Sequence, residues 1–333
     1  MSKLLRRTLY AIAAGVVLYV AAMLYFDVGP VRDTLVGYRW GYLAAAFGLS
    51  SGNYLLRFAK WELALGWLGV RQDAPGLTRT RSLVIYLAGL SMSVTPGKVG
   101  EVLRSTLLKA SDGVAFTRTA PIVVADRLTD LIALVVLSLL GIAEYPEYIP
   151  IMVATMGLVV VGVVVLGSPR LLQGTLTLLG RVPGLRRVAH RAEPMVHSSA
   201  ALLTLRRLAA LTVLSIVGWG LECVGFWLIL LGFGVETTLI QCAFLWSAGT
   251  LVGALSFLPG GLGATEGTLV YATGRLVAGA TQPIAMAGAL LGRLATLWYG
   301  ELVGGIALAV FLRDPALRRV VMEDSDADAD ANA

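Results

Sequence analysis

Cysteine and histidine are almost missing from this chain: 333 residues hold two of each. Cys223 and Cys242 lie in apolar surroundings, with neither a disulfide framework nor a metal-ligand spacing around them, and read as small buried apolar residues. His190 and His197 share one basic stretch outside the apolar runs, and no H-E-x-x-H occurs. These absences argue against an intramembrane zinc protease and against a histidine-based triad. No metal and no cofactor is expected. Charge is scarce as well, at 14% of residues, where a soluble domain carries about 25%. With 57% hydrophobic residues and a mean hydropathy of +0.77, the composition is that of a polytopic, all-α membrane protein.

What is present is a series of apolar runs. Leu9–Phe26 is long enough to span, since a crossing needs about 20 residues, and no small-residue cleavage site follows it. Further spans are expected at Trp40–Lys60 with an extension toward Leu68, at Thr119–Ala143, Ile151–Gly167, Leu208–Leu231 and Pro283–Leu312, the last tilted or kinked near Gly300. Gly29-Pro30 marks the intervening Asp27–Arg39 as a loop. That makes about six full spans.

Two shorter apolar stretches are interrupted by the same phrase. The first copy is Ser93-Val94-Thr95-Pro96-Gly97-Lys98-Val99-Gly100 and the second is Ser256-Phe257-Leu258-Pro259-Gly260-Gly261-Leu262-Gly263. Proline lacks the amide donor and glycine is costly in a helix, so each phrase breaks the backbone. Lipid cannot satisfy freed peptide groups, so a break at membrane depth is buried in protein or lines a wet cavity. Ser82–Thr95 with Val99–Lys109, and Leu239–Leu258 with Gly263–Leu276, read as two re-entrant helical hairpins.

Lysine and arginine set the orientation. With the N-terminus inside, cytoplasmic segments collect Lys3, Arg6, Arg7, Arg71, Arg79, Arg81, Lys109, Arg118, the basic stretch Arg170–Arg207, and Arg313, Arg318 and Arg319. The opposite side holds only Arg32, Arg39 and Arg275. This asymmetry emerges only if both breaks are hairpins, and it puts their tips on opposite sides as an inverted repeat. Broken helices in inverted repeats are a construction plan of secondary transporters. The expected layout is one membrane domain over residues 1–312. One repeat covers about 40–143 and the other about 208–312, joined by a span at 151–167 and a basic amphipathic segment at 168–207. A disordered acidic tail follows at 313–333. The net charge of +6 is then a topology signal with anionic-lipid contact, and no nucleic-acid partner is expected. Localisation in the cytoplasmic (inner) membrane, with both termini cytoplasmic, follows from the same pattern.

Charges nevertheless occur inside the apolar segments: Lys98, Glu101, Arg104, Asp126, Arg127, Asp130, Glu222, Glu266, Arg293 and Glu301. Each costs at least about 2.5–3.5 kcal/mol near a bilayer centre, so they face a cavity or one another. Helical spacing puts Glu101 with Arg104, Asp126 with Asp130, and Arg127 with Asp130. Arg57, Lys60 and Trp61 form a stripe that suits a phosphate, with the tryptophan at headgroup level. The short helix after the glycine-rich turn of Gly97 and Gly100 offers unpaired amides to an anion, reinforced by Lys98. The second tip has Gly261 where the first has Lys98, and Glu266 follows it. On this reading the first tip does most of the anion binding, and replacing Lys98 or Glu101 harms transport more than Gly261→Ala. Asp126, Glu222 and Glu266 are candidate proton carriers. Structural ion pairing is the plainer alternative for any one of these residues. Gly48-x-x-x-Gly52 and Gly300-x-x-x-Gly304 read as close helix packing, with an oligomer possible.

The blocks Pro96-Gly97-Lys98-Val99-Gly100-Glu101-Val102-Leu103-Arg104, Asp126-Arg127-x-x-Asp130 and Leu258-Pro259-Gly260-Gly261-Leu262-Gly263-x-x-Glu266 resemble the lysylphosphatidylglycerol synthase transmembrane, flippase-like family. The resemblance runs from about Trp40 to Leu312. It implies movement of a lipid between leaflets without synthesis, and a separately encoded lipid-modifying enzyme as a possible partner. The expected substrate-contacting set is Arg57, Lys60, Pro96, Gly97, Lys98, Gly100, Glu101, Arg104, Asp126, Arg127, Asp130, Glu222, Pro259, Gly260, Gly261, Gly263, Glu266 and Arg293. The expected activity is that of a lipid flippase for an anionic or aminoacylated phospholipid or a polyprenyl-phosphate-linked lipid. The alternatives are an ion- or proton-coupled transporter of a soluble anion and an intramembrane enzyme acting on a lipid-linked substrate.

Overall fold

A computed structural model describes residues 28–95, 101–142, 145–146, 149–181 and 193–314. The apolar run Leu9–Phe26, the first tip with Pro96, Gly97, Lys98 and Gly100, residues 182–192 and the acidic tail from 315 onward lie outside the described residues. Among the described residues every regular element is helical. Where the loop Asp27–Arg39 was expected, Val28–Val36 forms a short helix, α1, with Pro30 in its first turn, where a missing amide costs nothing.

Helix α2 (Gly41–Trp67) carries Ser50, Asn53, Arg57 and Lys60 on one buried stripe. Helix α3 (Arg79–Ala88) starts at Thr78, whose side chain accepts from the Arg81 amide. It tightens into a 3-10 turn over Gly89–Met92. The sequence predicts one helix to Thr95; the break opens earlier. Ser91 Oγ bonds back to the Ala88 carbonyl at 2.7 Å, an alternative to continuing the helix. Helix α4 (Leu103–Asp112) follows the tip and ends on Gly113, at φ 69°. Helix α5 (Phe116–Leu139) brings Asp126, Thr129 and Asp130 inside.

Helices α6 (Ile149–Gly167) and α7 (Pro169–Leu179) are bent by 100° at Ser168. Ser168 precedes a proline, which disfavours helical geometry there, and its hydroxyl caps α7. A short helix, α8 (Val196–Leu202), leads to α9 (Leu205–Gly232). Helix α10 (Leu239–Leu255) ends at the second break, and α11 (Ala264–Leu276) leaves it. Helix α12 runs from Gln282 to Phe311 and contains a π turn over Leu294–Trp298. That turn stands where the sequence predicts a kink near Gly300. By length and apolarity alone, α9 and α12 qualify as membrane crossings, with the bent α6–α7 pair as a third. Helices α2 and α5 have 27 and 24 residues, long enough to cross, but each carries more than two charged residues.

The packing is reciprocal between the two halves of the chain. Helix α2 lies along α9, where Gly218 and Gly225 let the backbones approach. A Cβ at Gly218 would stand 2.5 Å from Asn53 Oδ1, and one at Gly225 would touch Ala46. Helix α3 and its 3-10 turn lie on α12; a Cβ on Gly304 would fall 2.2 Å from the Ser91 nitrogen. Helix α10 lies on α5, joined by Ser138 Oγ to Ser247 Oγ at 2.9 Å. One apolar core gathers around Trp61, Ile85, Leu107 and Leu308, and another around Phe226, Phe244, Trp246 and Leu269.

Candidate functional site

Seven charged side chains from α2, α4, α5 and the turn before α4 meet beside the first break. Lys60 is at the bottom of the group and 1% exposed. It donates to Ser215 Oγ at 2.7 Å, Thr129 Oγ1 at 3.0 Å and Asp130 Oδ1 at 3.2 Å, and lies 3.2 Å from Asp126 Oδ1. Two carboxylates one helical turn apart repel, and the ammonium between them offsets that repulsion. Arg104 pairs with Glu101 at 2.7 Å and with Asp126 at 3.3 Å, while Tyr86 and Trp61 lie 5.0 and 5.7 Å from its guanidinium. Arg127 donates to Glu101 at 2.7 Å and stands 3.4 Å from Asp130. Arg57 pairs with Asp130 at 3.0 Å and lies over Trp219 at 5.9 Å.

The second break is held by fewer charges. Gly260, Gly261 and Gly263 have φ of 59°, 67° and 83°, a region that favours glycine. Glu266 accepts from the Gly263 amide at 2.8 Å and from Arg293 Nε at 2.7 Å, and Arg293 Nη2 donates to the Gly260 carbonyl at 2.5 Å. Each break is thus followed by a glutamate paired, at 2.7 Å, with an arginine of the next long helix: Glu101 with Arg127, and Glu266 with Arg293.

Between the breaks lies a cavity of about 300 Å³. Among the described residues its charged lining is Arg57, Arg127 and Arg293 with Glu101, Asp130 and Glu222, three cations and three carboxylates. Glu222 accepts from Asn53 Nδ2 at 2.5 Å and Trp246 Nε1 at 3.3 Å. Tyr54 donates to the Thr296 carbonyl of the π turn at 2.6 Å, and such turns recur at functional sites because they leave backbone groups for other partners. Glu301 accepts from the Val94 amide at 2.8 Å and so holds the start of the first break against α12. Gly300 faces the Tyr54 hydroxyl, and a Cβ there would come within 2.9 Å of it.

The geometry sorts the sequence-predicted residues. Arg57, Glu101, Arg127, Asp130, Glu222, Gly260, Gly261 and Arg293 line the cavity. Lys60, Arg104 and Asp126 are enclosed behind it, and Pro259, Gly263 and Glu266 shape the second break. Pro96, Gly97, Lys98 and Gly100 fall outside the described residues. Trp61, expected in a stripe with Arg57 and Lys60, is fully buried and donates to Ser82 Oγ at 3.1 Å. Sequence reasoning missed Asn53, Tyr54, Trp219, Trp246 and Thr250, which share the lining or hold it. The signal for two of them was register, since Asn53 precedes Arg57 by one turn and Trp219 precedes Glu222 by three residues.

An all-helical chain with crossing-length apolar helices and an ion-paired interior cavity defines a multi-pass membrane protein. The chain belongs to the family described as the lysylphosphatidylglycerol synthase TM region, which matches residues 11–304. Among curated relatives, a UPF0104 membrane protein of Methanothermobacter thermautotrophicus is 23% identical over 316 residues, covering 89% of this chain and 91% of the relative. Another from the same organism is 25% identical over 332 residues, covering 91% and 93%. A UPF0104 membrane protein of Pyrococcus horikoshii is 32% identical over 101 residues, 30% of each chain.

Proposed function

We propose that this protein moves an anionic lipid between leaflets, with the headgroup in the cavity and the acyl chains in the bilayer. The observation that carries this reading is the cavity itself: three arginines and three carboxylates converge on a space of headgroup size inside a membrane protein. A phosphate entering it displaces carboxylate oxygens from Arg57, Arg127 or Arg293 and keeps each guanidinium paired through charge-assisted hydrogen bonds. The carboxylates freed by that exchange suit an amino or sugar group on the same headgroup. Aminoacylated or other anionic phospholipids and polyprenyl-phosphate-linked lipids fit this description.

The architecture that goes with the proposal is six spans and two re-entrant hairpins in an inverted repeat. Supporting it are the matched Glu101–Arg127 and Glu266–Arg293 pairs and the reciprocal packing of α3 on α12 and α10 on α5. Residues 1–312 then form one domain in the cytoplasmic membrane, with both termini on the cytoplasmic side. The protein acts as a transporter, not an enzyme, and draws its lipid from a separately encoded enzyme.

Reconstitution in liposomes with fluorescent phosphatidylglycerol and with a polyprenyl phosphate tests the reading. Movement faster than in protein-free vesicles, and lost in the Arg127→Ala/Arg293→Ala variant, is the expected result. If no lipid moves faster than in protein-free vesicles, with or without a proton gradient, the proposal fails.

A further inference from the structure

Resting on the lipid-translocation reading, the geometry points to an acyl-chain portal between α6 and the second break. The cavity has walls of two kinds. Beside its charged lining stand Leu131, Leu158, Ala254, Leu255, Phe257 and Leu258. Three of these both line the cavity and face outward: Leu158 is 57% exposed, Phe257 74% and Leu258 46%. Side chains with both properties mark the mouth of a cavity. An apolar mouth between membrane helices opens onto hydrocarbon, where leucine and phenylalanine are at home.

The backbone at Phe257 is a second, independent observation. It is the one non-glycine residue at positive φ among the described residues, at 55°. Bulky residues rarely adopt that conformation, and such strain clusters at functional sites. Glycines fill the left-handed positions at Gly260, Gly261 and Gly263, so a turn alone would be served by glycine here too. Instead the strained position holds a large ring at the mouth.

The occupant is the acyl chains of the lipid whose headgroup meets the arginines, because the apolar wall runs directly into the charged one. A soluble anion has no use for an exit into hydrocarbon. Leu158 and Phe257 form the two jambs, and the chains trail between them while the headgroup crosses.

The test reconstitutes the full chain carrying Leu158→Trp or Phe257→Trp, with Val164→Trp as control. Val164 is exposed on the same helix but does not line the cavity. Thermal unfolding in detergent checks that each variant is folded. The expected result is that the two portal variants slow phosphatidylglycerol translocation about tenfold, the effect of overfilling a passage with a large side chain, while Val164→Trp stays at the wild-type rate. Phe257→Gly, which suits the backbone and removes the ring, keeps or raises the rate. Wild-type rates in both folded tryptophan variants, or equal slowing by Val164→Trp, would overturn the portal and leave the translocation reading standing. If the wild type itself moves no lipid, that reading is what fails.

Discussion

The two breaks are held by different physics. Beside the first, seven charges are interlocked, and Lys60, Glu101, Arg104 and Asp126 are at most 2% exposed. Beside the second, one ion pair and three left-handed glycines do the same work. A buried charge network is stable only when complete, since removing one partner strands another without water. A glycine-shaped turn depends on backbone angle and on the space where a Cβ would go. The first region is therefore sensitive to charge and the second to shape.

The sharpest way to break this comparison is Lys60→Met. It leaves Asp126 and Asp130 facing each other, and the expected loss is about 3–5 kcal/mol in unfolding stability. Thermal or denaturant unfolding in mild detergent measures it; a loss below about 1 kcal/mol would mean the ion pairs do not hold the first region together. Gly261→Ala comes next, at about 2 kcal/mol, because φ is 67° and the new Cβ would lie 2.9 Å from Thr265 Oγ1 and 3.1 Å from Gly253 Cα. Glu266→Gln should cost about 1.5 kcal/mol in the same assay, since the amide still accepts from the Gly263 nitrogen while the charge facing Arg293 is gone. At the small end, Gly48→Ala meets nothing within 4 Å and should stabilise helix α2 by about 0.5–1 kcal/mol. A destabilised Gly48→Ala would show that this face is occupied by another subunit, which co-purification or light scattering would register.

The helices were legible because apolar runs of crossing length admit few other readings; α9 and α10 begin and end within three residues of their predicted limits. The charged residues were legible as a group, because a charge in an apolar run needs a partner. Their pairings were legible only where the partners are close in sequence. Helical spacing relates Arg104 to Glu101 and Arg127 to Asp130, and both contacts occur, at 2.7 and 3.4 Å. The contacts that close the network link Lys60 to Asp126, Asp130 and Ser215, which only tertiary structure brings together. Tyr54 and Trp246 were illegible for another reason. An aromatic residue in an apolar helix looks the same whether it fills a core or walls a cavity. The early end of α3 escaped notice because Ser91 reaches back to a carbonyl in a way that no periodicity records.

The interlocked packing has a consequence for how the chain is made. Lys60 finds one of its hydrogen-bond acceptors in Ser215, and the Val94 amide finds its acceptor in Glu301. When helices α2 to α5 have left the ribosome, those partners have not yet been synthesised. The early half must wait in or beside the insertion machinery with a charged, incompletely matched interior. It is sealed only when α9 settles along α2 and α12 arrives over the first break. Two separately expressed halves should therefore be degraded singly and rescued by co-expression, and the final helix, not the first, commits the membrane domain to its fold.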